Sequence, residues 1–273
     1  MTAVKALSMK VLPAFPPITD ANLLDQTEAK AALYFYNETL PNGFVKDADY
    51  RDFSSVAATG FGIASLCVIS ERYLTTPSWT VTPAQARARV NKILDNCIIY
   101  QSRQAPAGNA YGIAGFLFHF IGPDGTQYGT SEVSTVDMAI FLAGAITAGE
   151  YFGGEVKTKA SQIYNKMNWV YFLNTSNRQF SHGWVPESGI IPATWDRPSD
   201  ETMLVSLLAI GANPSNQDIL KTMYSWPRAA GQYGGQSVVN SYFGSLFTYI
   251  YGHCFFDFAK LGKDNPALAA SPK

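Results

Sequence analysis

The stretch Ser134-Thr-Val-Asp-Met-Ala-Ile-Phe-Leu-Ala-Gly-Ala-Ile-Thr-Ala-Gly-Glu-Tyr-Phe152 decides the fold. It reads as one long helix, almost wholly apolar or small, broken by Asp137 near its start. A helix without a polar face is buried on every side. The segment after it, Glu155 to Leu173, has the opposite character: an apolar stripe and a charged face, as an outer helix packed on an inner one.

The same alternation runs outward in both directions. Upstream, Asp20 to Leu40 reads as a helix ending at Pro41-Asn42-Gly43, and Ser54 to Leu74 as an apolar helix rich in small residues (Ala57, Ala58, Gly60, Gly62, Ala64). Thr82-Pro83 then supplies an N-cap and a proline at the first helical position, opening an amphipathic helix to about Tyr100. Short runs flanking Pro123-Asp124-Gly125 predict a β-hairpin, from Gly115–Ile121 to Thr126–Tyr128. Downstream, an irregular stretch over 174–199 precedes an apolar helix over Asp200–Ile210 and an amphipathic one over about Ser215–Tyr224. A Gly-rich loop, Ala229 to Gly235, leads to a last apolar helix over Asn240–Leu261. Inner and outer helices in alternation describe an all-α, (α/α) toroid with short hairpins in its loops. About eight helices are counted where a closed six-hairpin ring needs twelve. The ring is therefore expected to be incomplete at its C-terminal side, with unclosed edges open to self-association.

The 273 residues are read as a single domain, with 1–18 as an extension and 265–273 as a poorly ordered tail. Twenty basic and 21 acidic residues leave a net charge of −1, which excludes nucleic acid as the default partner. No run of 18 apolar residues marks a membrane span, and Met1–Pro17 lacks the apolar core of a signal peptide. Cys67, Cys97 and Cys254 lie far apart in apolar stretches and read as buried free thiols. Three histidines, His119, His182 and His253, do not make a His-rich metal site, and no metal or cofactor is expected. Gly231-Gln-Tyr-Gly-Gly235 lacks the Lys-Ser/Thr of a phosphate loop.

Acidic residues fall at the starts of the apolar helices: Asp52 before Ser54, Glu132 and Asp137 around Ser134, and Asp196, Asp200 and Glu201 before Thr202. Each alone is explained by helix capping and the helix dipole. As a set, gathered with Trp184 and Trp195, they suit sugar chemistry: one carboxyl protonates the leaving oxygen, another attacks or activates water, and rings stack on the pyranose. His119, between Phe118 and Phe120, faces either solvent or the pocket.

Several segments resemble the glycoamylase-like family: Phe53-Ser-Ser-Val-Ala-Ala-Thr-Gly-Phe-Gly62, Gly115-Phe-Leu-Phe-His-Phe120, Ser131-Glu-Val-Ser-Thr-Val-Asp137 with Ala143-Gly-Ala145, Ser181-His-Gly-Trp184, Pro186-Glu-Ser-Gly189, Trp195-Asp196 and Asp200-Glu201. They run in order from about residue 28 to about residue 258. The family includes endo-β-1,2-glucanases and a domain of cyclic β-1,2-glucan synthases, and its fold is an (α/α)6 barrel. The resemblance implies a glycoside hydrolase of β-1,2-glucan in the periplasm or outside the cell, with an oligo- or polysaccharide as partner; the missing signal peptide leaves a cytoplasmic setting as the alternative. It implies Glu201 as general acid, Glu132 as a second catalytic glutamate, and Asp137 as an orienting or sugar-binding group. It further implies subsites lined by His182, Trp184, Glu187, Trp195, Asp196 and Asp200. Two departures stand beside it. The general base of the resembled hydrolases lies further along the chain than Lys273, and their late aromatic motif here reads Tyr249-Ile-Tyr-Gly-His-Cys-Phe-Phe256, with its Trp replaced. This chain alone is therefore expected to be inactive or severely slow. A non-catalytic glucan-binding homologue, a fragment of a longer enzyme and a β-1,2-glucan transglycosylase are the alternatives.

Overall fold

The computed structural model describes residues 19–73, 79–241 and 244–261. The expected extension (1–18) and tail (265–273) lie outside the described residues. Seven α-helices occur among the described residues: α1 (Leu23–Asn37), α2 (Val56–Arg72), α3 (Pro83–Ser102), α4 (Thr135–Phe152), α5 (Gly154–Lys166), α6 (Asp200–Ala212) and α7 (Gln217–Leu220). The strands are short: β1 (Ser54–Ser55), β2 (Phe120–Ile121), β3 (Val133–Ser134), β4 (Leu173–Asn174), β5 (Gln179–Phe180), β6 (Gly183–Val185), β7 (Gly189–Ile190), β8 (Ala230–Tyr233) and β9 (Gln236–Val239). The fold is mostly helical with small sheets.

The alternation of helix character is present. Every residue of α4 from Thr135 to Ala145 is buried, whereas α5 buries only Val156, Ala160 and Ile163. The inner helices α2 and α4 form the most extensive helix pair, and α1, α3 and α5 flank them. Small residues explain that closeness. A methyl placed on Gly60 would overlap the Ile140 carbonyl, and one on Gly144 would overlap the Gly60 carbonyl. The two backbones therefore meet where any larger side chain would force them apart.

Two inner helices are launched from strands. β1 runs directly into α2 and pairs with β2, and β3 runs into α4 and pairs with β6. The hairpin around Pro123-Asp124-Gly125 forms, with Ile121 bridged to Gln127.

Five sequence expectations are corrected. The last helix, Asn240–Leu261, does not form. That stretch is a chain of 3-10 turns at Leu246–Tyr249, Gly252–Cys254 and Phe258–Leu261, with Gly244 and Gly252 interrupting a run of aromatic and β-branched residues that hold a helix poorly. The Gly-rich loop before it is a hairpin, β8–β9, turned by Gly234 and Gly235 at positive φ. Cys67 and Cys97 are buried, but Cys254 is exposed, because the turn that carries it stands at the surface. In addition, the outer helix expected over Glu155–Leu173 stops at Lys166. A 3-10 turn then drops Trp169 and Phe172 into the core against Phe116, with ring centroids at 5.0 and 4.7 Å. Likewise, the helix over Ser215–Tyr224 is one short turn, α7, followed by a 3-10 turn.

Candidate active site

The three inner helices begin in the same way. The Ser55 hydroxyl accepts from the Ala58 N–H, Ser134 from Asp137 and Ser199 from Thr202, at 3.1–3.3 Å. Serine is a favoured N-cap because its oxygen satisfies a helix N–H that has no partner within the helix. These caps fix where the first-turn acids stand: Asp137 at the third position of α4, and Asp200 and Glu201 at the first two of α6.

His119 sits at the centre of the arrangement. Its backbone is held on both sides, its N–H donating to the Glu132 carbonyl and its carbonyl accepting from Val56 at the start of α2. Its ring stacks on Phe120, with centroids 3.8 Å apart. Nδ1 lies 3.0 Å from Glu132 Oε1, and Nε2 lies 3.3 Å from Asp137 Oδ1. One imidazole thus bridges two carboxylates that come from either side of the α4 N-cap.

The charges of the group follow from this geometry. Burial alone would lower the proton affinity of His119, but the Glu132 hydrogen bond and the charges of Asp137, Glu132 and Asp47 outweigh it and raise its pKa. Glu132 shows the reverse: burial pushes its carboxyl up, and the His119 hydrogen bond and its own backbone N–H bring it below the usual range. Asp137 is raised by burial, against the His119 charge and the Ser134 hydroxyl. Glu201 is raised by burial, then by Asp137 and Asp200, to about 7. The α6 dipole favours the ionised form of a first-turn carboxyl, and burial outweighs it here.

Tyr251 completes the cluster from the C-terminal segment. Its ring packs edge-on to Phe61 of α2 at 5.0 Å. Burial raises its hydroxyl's pKa, with Glu201, Cys254 and Asp137 adding to the effect. The segment is anchored by Asp200, whose Oδ2 accepts the Gly252 N–H at 2.9 Å.

The remaining expected site residues separate into two groups. Trp195 and His182 lie together, ring centroids 4.3 Å apart, with the Trp195 indole N–H donating to Thr135 Oγ1 at the start of α4. With Asp196, Arg197 and Thr202 they line a cavity of about 120 Å³, and Asp196 and Arg197 continue into a groove of about 650 Å³ bordered by Gln179 and Asn240. Burial lowers the pKa of His182, so its ring is neutral near pH 7. Trp184, by contrast, is a core residue only 6% exposed, lying against Phe118 and over Gly108. Asp200 is buried and engaged by Gly252, and Glu187 is exposed in the turn between β6 and β7. Asp52, the acid before α2, accepts from the Tyr128 hydroxyl. A cavity of about 820 Å³ between α3 and α5 has no carboxylate among its described lining residues.

His119 and Tyr251 are the participants that sequence reasoning left unassigned. The only local signal for His119 is its place in the alternation Phe118-His119-Phe120; its partners come from β3 and α4. Ligand atoms of His119, Glu132 and Asp137 lie within 4.8 Å of one another, a spacing compatible with a cation. Of the two ring nitrogens, Nδ1 is hydrogen-bonded to Glu132 and Nε2 is ion-paired with Asp137.

No protein-family model matches the chain, and no curated protein matches it. Solved structures do. An endo-β-1,2-glucanase from Chitinophaga pinensis, in complex with sophorotriose and glucose, superposes with a TM-score of 0.63 at 13% identity, over 84% of this chain and 57% of that one. A β-1,2-glucanase from Parabacteroides distasonis gives 0.57 at 18% identity, over 76% of this chain and 30% of that one. A candidate glucoamylase from Bacteroides uniformis gives 0.63 at 16% identity, over 83% and 56%. The chain shares their fold and spans between about a third and three-fifths of their length. The resemblance carried by the sequence motifs is thus met at the level of structure.

Proposed function

We propose that this chain carries the sugar-cleaving site of a glycoside hydrolase acting on β-1,2-glucan, with Glu201 as proton donor and Glu132 as the carboxylate that works with it. The observation that carries the reading is the state of Glu201. A carboxyl held to about 7 still keeps a proton near neutral pH, which a leaving glycosidic oxygen requires. Glu132, kept ionised by His119, is its opposite in charge state. Two carboxyls whose surroundings drive their proton affinities apart are the signature of acid–base assignment in glycoside hydrolysis. The names of the solved neighbours support β-1,2-glucan as the substrate class.

Asp137 has a supporting part: it loads Glu201 with negative charge and is itself tied to His119. Trp195 and His182 form a platform of rings at the mouth of the groove, with Asp196 as a hydroxyl acceptor beside them, the composition expected of a sugar subsite. Trp184 and Asp200 act beneath the site, one filling the core and the other fastening the segment that bears Tyr251. The alternation of α1 to α6 is that of an arc of an (α/α)6 ring. A periplasmic or secreted setting accords with a polymeric substrate. No helix among the described residues is long and apolar enough to cross a membrane.

The test is binding. β-1,2-Glucooligosaccharides should quench tryptophan fluorescence, and α-1,4-glucan of equal length should not. A response to α-1,4-glucan alone would overturn the substrate class.

A further inference from the structure

The Glu132–His119–Asp137 bridge supports a step beyond the assignment of acid and partner, and it rests on the hydrolase reading only for its catalytic consequence. Three features define it. The His119 backbone is hydrogen-bonded to Glu132, just ahead of β3, and to Val56 at the start of α2. Its face is covered by Phe120, leaving its edge for polar contacts. Both edge nitrogens meet carboxylate oxygens from two different elements, Glu132 ahead of β3 and Asp137 in the first turn of α4. Nδ1 and Glu132 share a hydrogen bond, whereas Nε2 and Asp137 Oδ1 meet at 3.3 Å as an ion pair, an attraction that needs the protonated ring.

We propose that His119 is a positioning residue that works as an imidazolium, hydrogen-bonded through Nδ1 to the Glu132 carboxylate and fixing it in place, while its ion pair with Asp137 holds that carboxylate beside Glu201. The charged groups acting on it are Glu132, Asp137 and, from the loop after α1, Asp47. Glu201 acts on the bridge through Asp137. His119 is therefore the cation among these acids, and its loss would leave Glu132 with burial pushing its carboxyl up and no imidazolium to hold it down.

Two variants read this directly by side-chain NMR, without reliance on turnover. In His119→Gln the Glu132 carboxyl should titrate about one pH unit or more higher than in wild type, the effect of removing an opposite charge at hydrogen-bond distance. In Glu132→Gln the His119 ring should lose its elevated midpoint. An active enzyme adds a catalytic counterpart: the acid limb of its pH–rate profile moves up in His119→Gln, whereas a purely structural loss lowers the rate without moving the limb. A Glu132 midpoint unchanged in His119→Gln, or a His119 midpoint at the ordinary imidazole value and indifferent to Glu132→Gln, would overturn the proposal. Both variants must keep the wild-type circular dichroism spectrum; if one unfolds, the other decides. Failure of wild type to bind or cleave β-1,2-glucan would count against the hydrolase reading alone, because the NMR midpoints are measured in either case.

Discussion

Gly60 of α2 and Gly144 of α4 stand backbone against backbone, each without room for a methyl group. This contact sets the spacing of α2 and α4, the helices whose first residues meet the His119 carbonyl and ring through Val56 and Asp137. Two residues with no chemistry of their own thus set the frame of the candidate site.

Substituting Gly144→Ala should destabilise the protein by about 1–3 kcal/mol, the range for forcing an extra methyl into a packed contact. Gly244→Ala, where an added Cβ would meet nothing within 4 Å, should be nearly neutral. Urea denaturation of the two variants beside wild type checks the pair.

The starts and characters of the inner helices were legible in the sequence because they depend on local chemistry: a serine cap, then small and apolar residues all round. The stretch over 240–261 was not. Its apolar composition is equally that of a helix or of turns stapled to other elements, and what decides is Asp200, more than forty residues away, accepting the Gly252 N–H. Site residues divide in the same way. The acids could be named from their place at helix starts, but the bridge made by His119 depends on the pairing of strands distant in sequence. Trp184 and Trp195 look alike in composition, and only the register of β6 opposite β3, which puts Trp184 across from Val133, turns one ring into the core.

Removing the Asp200 carboxylate should release the C-terminal turns. Asp200→Ala deletes the acceptor of a hydrogen bond to a buried carboxyl, at a cost of roughly 1.5–3 kcal/mol. Amide exchange at residues 251–256 should accelerate more than exchange in α4. Uniform acceleration throughout the chain would show that the anchor is not local.

Glu201 should make stability fall with rising pH. Its folded pKa, about 7, lies above its ordinary carboxyl value of 4.5, so between these two the folded state holds a proton that the unfolded state releases. Stability from this group is complete below about pH 4.5 and is lost as pH rises through about 7. After a discount for partial solvent screening, Glu201→Gln should stabilise the protein by roughly 1–3 kcal/mol at pH 8 and change little at pH 4. Thermal melts of both proteins at the two pH values measure it.

Trp195→Phe should weaken binding of β-1,2-glucooligosaccharides several-fold, in keeping with roughly 1 kcal/mol for a stacked ring. It should also abolish most of the fluorescence quenching. Trp184→Ala should instead cost about 3–5 kcal/mol of stability, as an emptied core site does.

The central claim is that Glu201 supplies the proton to the leaving sugar. Reducing-end release from β-1,2-glucan, measured across pH 5 to 9 for wild type and Glu201→Gln, tests it most directly. The expected result is slow release by wild type that declines as pH rises through about 7 and is lost in Glu201→Gln, while oligosaccharide binding survives the substitution. Release that persists in Glu201→Gln, or that rises through neutral pH in wild type, would contradict it.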